Sequence, residues 1–365
     1  MPRLKSATQS ANVTIHDVAA HAGVGSMTVS RVINQNVRVS DALRAKVMAS
    51  IKALNYSVNM AARSTRSGMG GVRIGILYSN PSSSYLNEVM LGGLEQSSRL
   101  GCQLILEKCG GLASQKAAVK RLLAGGIDGV ILPPPLCDSQ ATVNMLSAAG
   151  IPVVALATAK PLAEVSAVRI DDFQGALKMT RYLIGLGHTK IGFIKGDPNH
   201  TPTQLRYEGF LAGISEANLT VNPAWIKDGL FTYRSGLEAG RELLELRKRP
   251  TAIFASNDDM AAAVVAVAHG LHIRIPHDLS VCGFDDTPIA STVWPELTTI
   301  HQPIVAMGRS SVSTIFEMIK THKSAKMSKP IHHLMKFTLI ERGSTGKAPY
   351  LASQPPSTGR VMPLT

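Results

Sequence analysis

The chain lacks most of the residue patterns that mark an enzyme, a secreted domain or a membrane protein. Its four cysteines, Cys102, Cys109, Cys137 and Cys282, form no C-x-x-C pair and no zinc-like spacing. Reduced, buried thiols of a cytoplasmic protein are therefore expected, with no disulfide framework and no metal. No run of about 18 apolar residues is present, which excludes a membrane-spanning helix. The opening stretch MPRLKSATQSANVTIHD has no apolar core of the kind a secretory signal needs. There is no nucleophile elbow, no H-E-x-x-H and no P-loop, and the glycines near 68–75 precede a strand instead of following one. The sequence thus implies neither an enzyme nor a cofactor. Acidic side chains are scarce at the amino end. Residues 1–73 hold only Asp17 and Asp41 against ten lysines and arginines, a local excess of eight within a net charge of +13. An excess of that size attracts polyanions, because neutralising phosphates is the main nonspecific contribution to DNA binding.

What the amino end does contain is a helical pattern. In TIHDVAAHAGVGSMTVSRVIN, residues 14–34, Thr14 is placed to cap a first helix and Asp17 completes a capping-box-like pair. Gly23 breaks that helix and can take a positive φ. A second helix begins near Ser26, with Val29, Val32 and Ile33 on its buried face and Ser26, Met27, Ser30 and Arg31 exposed. Ser40 is expected to cap a third helix carrying a supporting stripe of Leu43, Val47, Ile51 and Leu54. Short helix, glycine turn and short helix make a helix-turn-helix. Its second helix is expected to enter the major groove. There Arg31 can pair with guanine, Met27 can touch a thymine methyl, and Thr28, Ser30 and Asn34 can hold phosphates.

Residues 12–71, and DVAAHAGVGSMTVSRVIN above all, resemble the head and hinge of the lac repressor/galactose repressor family. The resemblance implies that Ser26 and Met27 read bases and that Arg31 is the base-contacting arginine. It also implies a hinge helix that folds on DNA and enters the minor groove, here through Asn59, Ala62, Arg63 and Thr65. Two departures stand out. Thr65 occupies the position of a DNA-wedging leucine, and Val58 replaces a proline. A smaller, polar wedge should unstack DNA less, with Arg63 and Arg66 adding phosphate or minor-groove contacts.

From Val72 onward, short β-branched runs alternate with amphipathic helices, which implies parallel sheets covered on both faces. The expected fold class is an all-α helix-turn-helix head followed by an α/β core of two doubly wound lobes, and the resemblance likens that core to periplasmic sugar-binding proteins. The expected divisions are the head at 12–57 and the hinge at 58–71. The first lobe takes 72–168 with 301–325, the second takes 169–300 with 330–343, and 344–365 is a fraying tail. His333–Ile340 reads as one strand, and the adjacent His332 and His333 should point to opposite faces, so they form no metal site.

In open parallel sheets ligands sit beyond the carboxyl ends of the strands. Asp171-Asp172, Asp258-Asp259 and Asp285-Asp286 each follow a β run. One member of each pair is expected to cap a helix and the other to face the cleft. The resemblance implies that Asn257 and Asp285 contact an effector and that Arg206 clamps its oxygens. Asn80, Ser84 and Tyr85 lie in the loop after the first strand, and Phe231 and Tyr233 are candidates to stack on a ligand. His188 in GHTKIGFIKGDPN reads as a structural turn residue. The expected function is a sequence-specific, dimeric transcription regulator, most simply a repressor. Its partners are operator DNA and a small-molecule effector, a carbohydrate in preference to a nucleobase. The alternatives are a sugar-binding protein or a sugar enzyme with no role on DNA. A basic head and the lack of any catalytic constellation argue against both.

Overall fold

The computed structural model describes residues 15–33, 39–54, 71–79, 82–323 and 329–349. It divides into two compact units, residues 1–71 and 72–365.

The first unit is a three-helix head: α1 (Ile15–Ala22), α2 (Ser26–Ile33) and α3 (Asp41–Ala53). Gly23 takes φ +59° and lets the chain leave α1 in a left-handed turn that other residues resist. Val18, Ala19 and Ala22 of α1, Val29 and Val32 of α2 and Val47 of α3 form the core, with Ile33, Ile51 and Leu54 packed against it. The stripe at three- and four-residue spacing is what buries these faces. His21 adds a cross-link to Ser50 Oγ at 3.0 Å. Ser40 sits at the start of α3, but its side chain makes no capping bond, contrary to expectation.

The second unit begins with β1 (Arg73–Tyr78), α4 (Ser83–Leu100), β2 (Gln103–Lys108), α5 (Leu112–Ala124), β3 (Gly129–Leu132), α6 (Gln140–Ala148), β4 (Val153–Leu156) and β5 (Ser166–Arg169). There follow α7 (Asp172–Gly185), β6 (Ile191–Ile194), α8 (Thr201–Glu216), β7 (Ile226–Lys227), α9 (Tyr233–Leu244), β8 (Ala252–Ala255), α10 (Asp258–Gly270), β9 (Ser280–Cys282) and α11 (Ile289–Thr292). The chain then returns through β10 (Thr299–His301), α12 (Ile304–Lys323), β11 (His332–Leu334) and β12 (Thr338–Ile340). One parallel sheet has the order β11-β5-β4-β3-β1-β2, and a second has the order β7-β6-β8-β9. The central strands GVIL, VVAL, IGFI and AIFA are buried throughout, as expected of sheets with helices on both faces. Each lobe has its own apolar core, one built around Leu77, Leu132 and Leu146 and the other around Ile253, Met260 and Val281. In the first lobe α4 and α12 cross at glycines. A Cβ on Gly92 would lie 1.9 Å from the Val305 carbonyl oxygen, and one on Gly308 would lie 2.4 Å from that of Val89.

The carboxyl end departs from the sequence reading. His333–Ile340 is not one strand: β11 joins β5 in the first sheet, whereas β12 pairs antiparallel with β10. The segment 330–343 therefore does not belong wholly to the second lobe. The residues of β11 are all exposed and those of β12 are exposed or half-buried, so no burial alternation in the sequence marked the break between them. Residues 344–348 are not a fraying tail either. Ser344 is fully buried, donates to the Val281 carbonyl at 2.6 Å and accepts from the Thr298 amide at 2.8 Å. His188 is fully buried as well, with Nδ1 on Thr251 Oγ1 and Nε2 near Ser280 Oγ and the Gly346 carbonyl. It ties the segment before β6 to Gly346.

Candidate functional site

In the head, the residues singled out on α2 separate cleanly by face. Val29 and Val32 are buried. Met27 is 70% exposed, Arg31 is exposed, and Ser26, Thr28 and Ser30 are half-buried. An apolar side chain as open as Met27 next to an exposed arginine has no role in the head's own packing. Thr14, Asn34, Asn59, Ala62, Arg63 and Thr65 lie outside the described residues.

In the core, a cavity of about 380 Å³, counting its open mouth, lies between the lobes. Ser82, Tyr85, Pro134 and Ala157 line it from the first lobe, and His200, Pro202, Arg206, Phe231, Asn257 and Asp285 line it from the second. It sits where β3, β4, β8 and β9 end, at the carboxyl edges of both sheets.

Arg206 lines this cavity and is only 5% exposed. Its Nε donates to Asp172 Oδ1 at 2.8 Å, and its Nη1 donates to the Ser256 carbonyl and, at 3.3 Å, to Asp285 Oδ1. The guanidinium lies 3.7 Å from the centre of the Phe284 ring. A delocalised, flat cation can stack and bond in its plane at once, which a lysine ammonium cannot do. Burial pushes the Asp172 carboxyl above its usual range and Asp285 up to about 7, and in both the Arg206 charge opposes the rise. Gln302 also donates to Asp285 at 2.6 Å.

Backbone strain concentrates here. Asp285 adopts φ +113°, and Ala157, Phe231 and Asp286 adopt φ near +57°, all without being glycine. Such residues cost of order 1–3 kcal/mol each and persist where surrounding bonds fix them. For Phe231 the restraint is explicit. Asn257 Nδ2 donates to its carbonyl at 3.1 Å, and its ring fills the space above Gly196, where a Cβ would fall 1.9 Å from Cζ. The ring also stacks on His200 at 5.3 Å between centroids.

Two buried polar atoms of the lining have no partner among the described residues: Tyr85 Oη and His200 Nε2. Burial lowers the His200 pKa and raises that of Tyr85, so both rings stand neutral in the cavity. An unmatched buried polar atom costs about 1–3 kcal/mol, which a hydrogen-bonding occupant recovers.

Of the residues named from the sequence, Tyr85, Arg206, Phe231, Asn257 and Asp285 meet in this cavity. Asn80 lies outside the described residues. Ser84 does not line the cavity; its hydroxyl lies 3.4 Å from Asp259. Tyr233 is 42% exposed and begins α9 away from the lining. The expectation of one cap in each aspartate pair holds only for Asp171, which accepts from the Gln174 amide. Asn257, not an aspartate, caps α10, and this leaves Asp258 to turn inward to the Thr287 amide and the Thr299 hydroxyl. Asp286 binds Arg342 and His301 instead of capping a helix. Ser82, Pro134, Ala157, His200 and Pro202 went unnamed. Pro134 and Ala157 follow strands β3 and β4, so the carboxyl-edge rule could have found them. His200 precedes a helix that starts Thr-Pro, a position that reads as a cap, and its side chain makes no capping bond.

No helix among the described residues is long and apolar enough to cross a membrane, and no cluster there could hold a metal ion. Residues 14–59 match the profile of bacterial regulatory proteins, lacI family, and residues 180–345 match that of a periplasmic binding protein-like domain. The HTH-type transcriptional repressor PurR of Pectobacterium carotovorum subsp. carotovorum (strain PC1) is 33% identical over 93% of this chain and 98% of its own. PurR of Haemophilus influenzae (strain PittEE) is 35% identical over 85% of this chain and 92% of its own. Among solved structures, a complex of the transcriptional regulator CelR with cellobiose superimposes with a TM-score of 0.69 at 29% identity, covering 91% of this chain and 99% of that one. The lac repressor dimer bound to operator and the anti-inducer ONPF does so with 0.67 at 27% identity, covering 92% and 100%. With its helix-turn-helix head and two-lobed core, the chain belongs to the lacI family of bacterial regulatory proteins and is a DNA-binding transcriptional repressor, not an enzyme.

Proposed function

We propose that this repressor works in the cytoplasm as a homodimer, reads its operator through α2 and responds to a carbohydrate bound between the lobes. On DNA, Ser26, Met27 and Arg31 face base edges, while Thr28, Ser30 and, from the sequence, Thr14 and Asn34 hold phosphates. The hinge residues Asn59, Ala62, Arg63 and Thr65 take the minor groove. Pairing of two copies is supported by the open edge of the first sheet. There Leu106 on the outer strand β2, Leu91 and Leu94 on α4 and Leu112 on α5 are 44–54% exposed, a concentration of apolar side chains that a solitary soluble surface seldom carries.

The effector assignment rests on one observation: Tyr85 Oη and His200 Nε2, on residues that line the cavity, are buried with no partner among the described residues. Both are neutral, and a sugar hydroxyl both donates and accepts. The ionic trio of Asp172, Arg206 and Asp285 supplies further bonds at fixed positions. Relatives named PurR make a purine base the second reading. Against it, one face of the Phe231 ring is already taken by His200 and its edge abuts Gly196. Isothermal titration of the full-length protein with cellobiose, ribose and glucose, alongside adenine and guanine, tests the assignment. Binding by a sugar that also changes operator affinity supports it, and binding by purines alone overturns it.

A further inference from the structure

The two sides of the cleft are joined by bonds that no effector supplies. On one side Ser82, which caps α4 of the first lobe, donates to Asp259 Oδ2 on α10 of the second lobe at 2.6 Å, with Ser84 Oγ at 3.4 Å from the other oxygen. On the other side Asp138 of the first lobe accepts from the backbone amide and the hydroxyl of Thr201, the first residue of α8, each at 3.0 Å. The same carboxylate accepts from Thr158 Oγ1 at 2.7 Å within its own lobe, and the Ala159 amide donates back across the cleft to Thr201 Oγ1 at 2.8 Å.

These bonds flank the cavity. Ser82 lines it directly, and Asp259 lies two residues beyond the lining residue Asn257. Thr201 lies between the lining residues His200 and Pro202, and Thr158 and Ala159 follow the lining residue Ala157. Each side pairs a carboxylate of one lobe with the start of a helix in the other, where hydroxyls and unpaired amides favour negative charge.

We propose that Asp138 and Asp259 are latch residues that tie the two lobes together across the cleft. They position the cavity walls without belonging to its lining. The latches oppose opening of the cleft, and their strength sets how much of an effector's affinity goes into moving the lobes. This rests on the cleft being the effector site only for its regulatory meaning. The closure itself is measurable with no ligand present.

The test is amide hydrogen exchange on the full-length, effector-free protein, comparing wild type with Asp138→Ala, Asp259→Ala and the double variant. Two amides report directly, those of Thr201 and Ala159, since each is an inter-lobe donor. A hydrogen bond to a charged group shifts a local opening equilibrium by about tenfold or more. The expected result is therefore exchange about tenfold faster at residues 159 and 201 in Asp138→Ala, and at residues 82–86 in Asp259→Ala. Amides of the strand cores should be unchanged. Thr201→Val keeps the side-chain volume, removes only the hydroxyl and should reproduce the effect at Ala159. Exchange within twofold of wild type at all these positions in the double variant would overturn the proposal. So would uniform acceleration across both lobes, because that reports general destabilisation. If the latches respond as expected and no small molecule ever binds, the effector reading fails and the latch stands.

Discussion

Replacing Arg206 by methionine is the sharpest probe of the core. Methionine fills similar space and keeps contact with Phe284, but it leaves Asp172 and Asp285 facing each other across a buried gap. Arg206 is 5% exposed, Asp172 is 2% and Asp285 is 5%, so water from the cleft replaces only part of the lost bonds. Breaking a buried pair by removing one partner costs about 3–5 kcal/mol, because an uncompensated charge stays behind. For a core of this size 1 kcal/mol moves the melting temperature by about 2–4 °C, so Arg206→Met should lower it by roughly 10 °C. The loss should depend on pH. Burial already raises both carboxyls, and without the cation they rise further and protonate. The deficit is therefore full near pH 8 and shrinks toward pH 5. Adding Asp172→Asn to Arg206→Met removes one stranded charge and should restore part of the loss, a coupling that a double-mutant cycle reads directly. Calorimetry at pH 5 and pH 8 on the four proteins is the assay. A melting temperature for Arg206→Met within about 2 °C of wild type at pH 8 would refute the reasoning.

Gly196→Ala places a methyl 1.9 Å from Phe231 Cζ, so the ring and the strained backbone beneath it must move. Effector affinity, measured by titration, should fall about tenfold or more, with a stability loss of about 1–3 kcal/mol. Asp285, held up to about 7 by burial, binds a proton in the folded protein that the unfolded chain releases above about pH 4. Its contribution to stability is present below that range and lost as pH rises through 7. Asp285→Asn should therefore flatten the pH dependence of urea unfolding between pH 5 and 8. On DNA, Arg31→Ala should weaken binding to the specific operator by about 1–3 kcal/mol while leaving salt-dependent binding to unrelated duplex nearly intact, as gel shifts would show.

How much of this was legible in the sequence varied with the physics of each part. The head was readable because each of its helices is amphipathic and Gly23 marks the break, so local pattern and tertiary burial agree. The core strands were readable because runs such as VVAL and AIFA have no surface alternative. Arg206 and Asp285 could be named in advance through the family resemblance, Asp285 also because it follows a β run. His200 could not, since nothing local distinguishes a histidine that precedes a helix as a spare cap from one that lines a cavity. The aspartate pairs misled in part because Asn257 took the capping position and freed Asp258 for the Thr287 and Thr299 bonds. The exposed β11 carries no burial pattern, so its sheet was decided by partners more than 160 residues away in sequence.

The way residues 332–346 close the core has a consequence for synthesis. The first lobe needs α12 and β11, and the second needs Ser344 and Gly346 against Thr298, Val281 and His188, so the first is incomplete until residue 334 and the second until residue 346 has left the ribosome. The head draws its apolar core from residues 15–54 alone and can fold while the rest is still being made. A nascent chain therefore carries a finished DNA reader before it owns the cleft that governs it, and a stop placed shortly before residue 344 would leave that reader attached to an unclosed core.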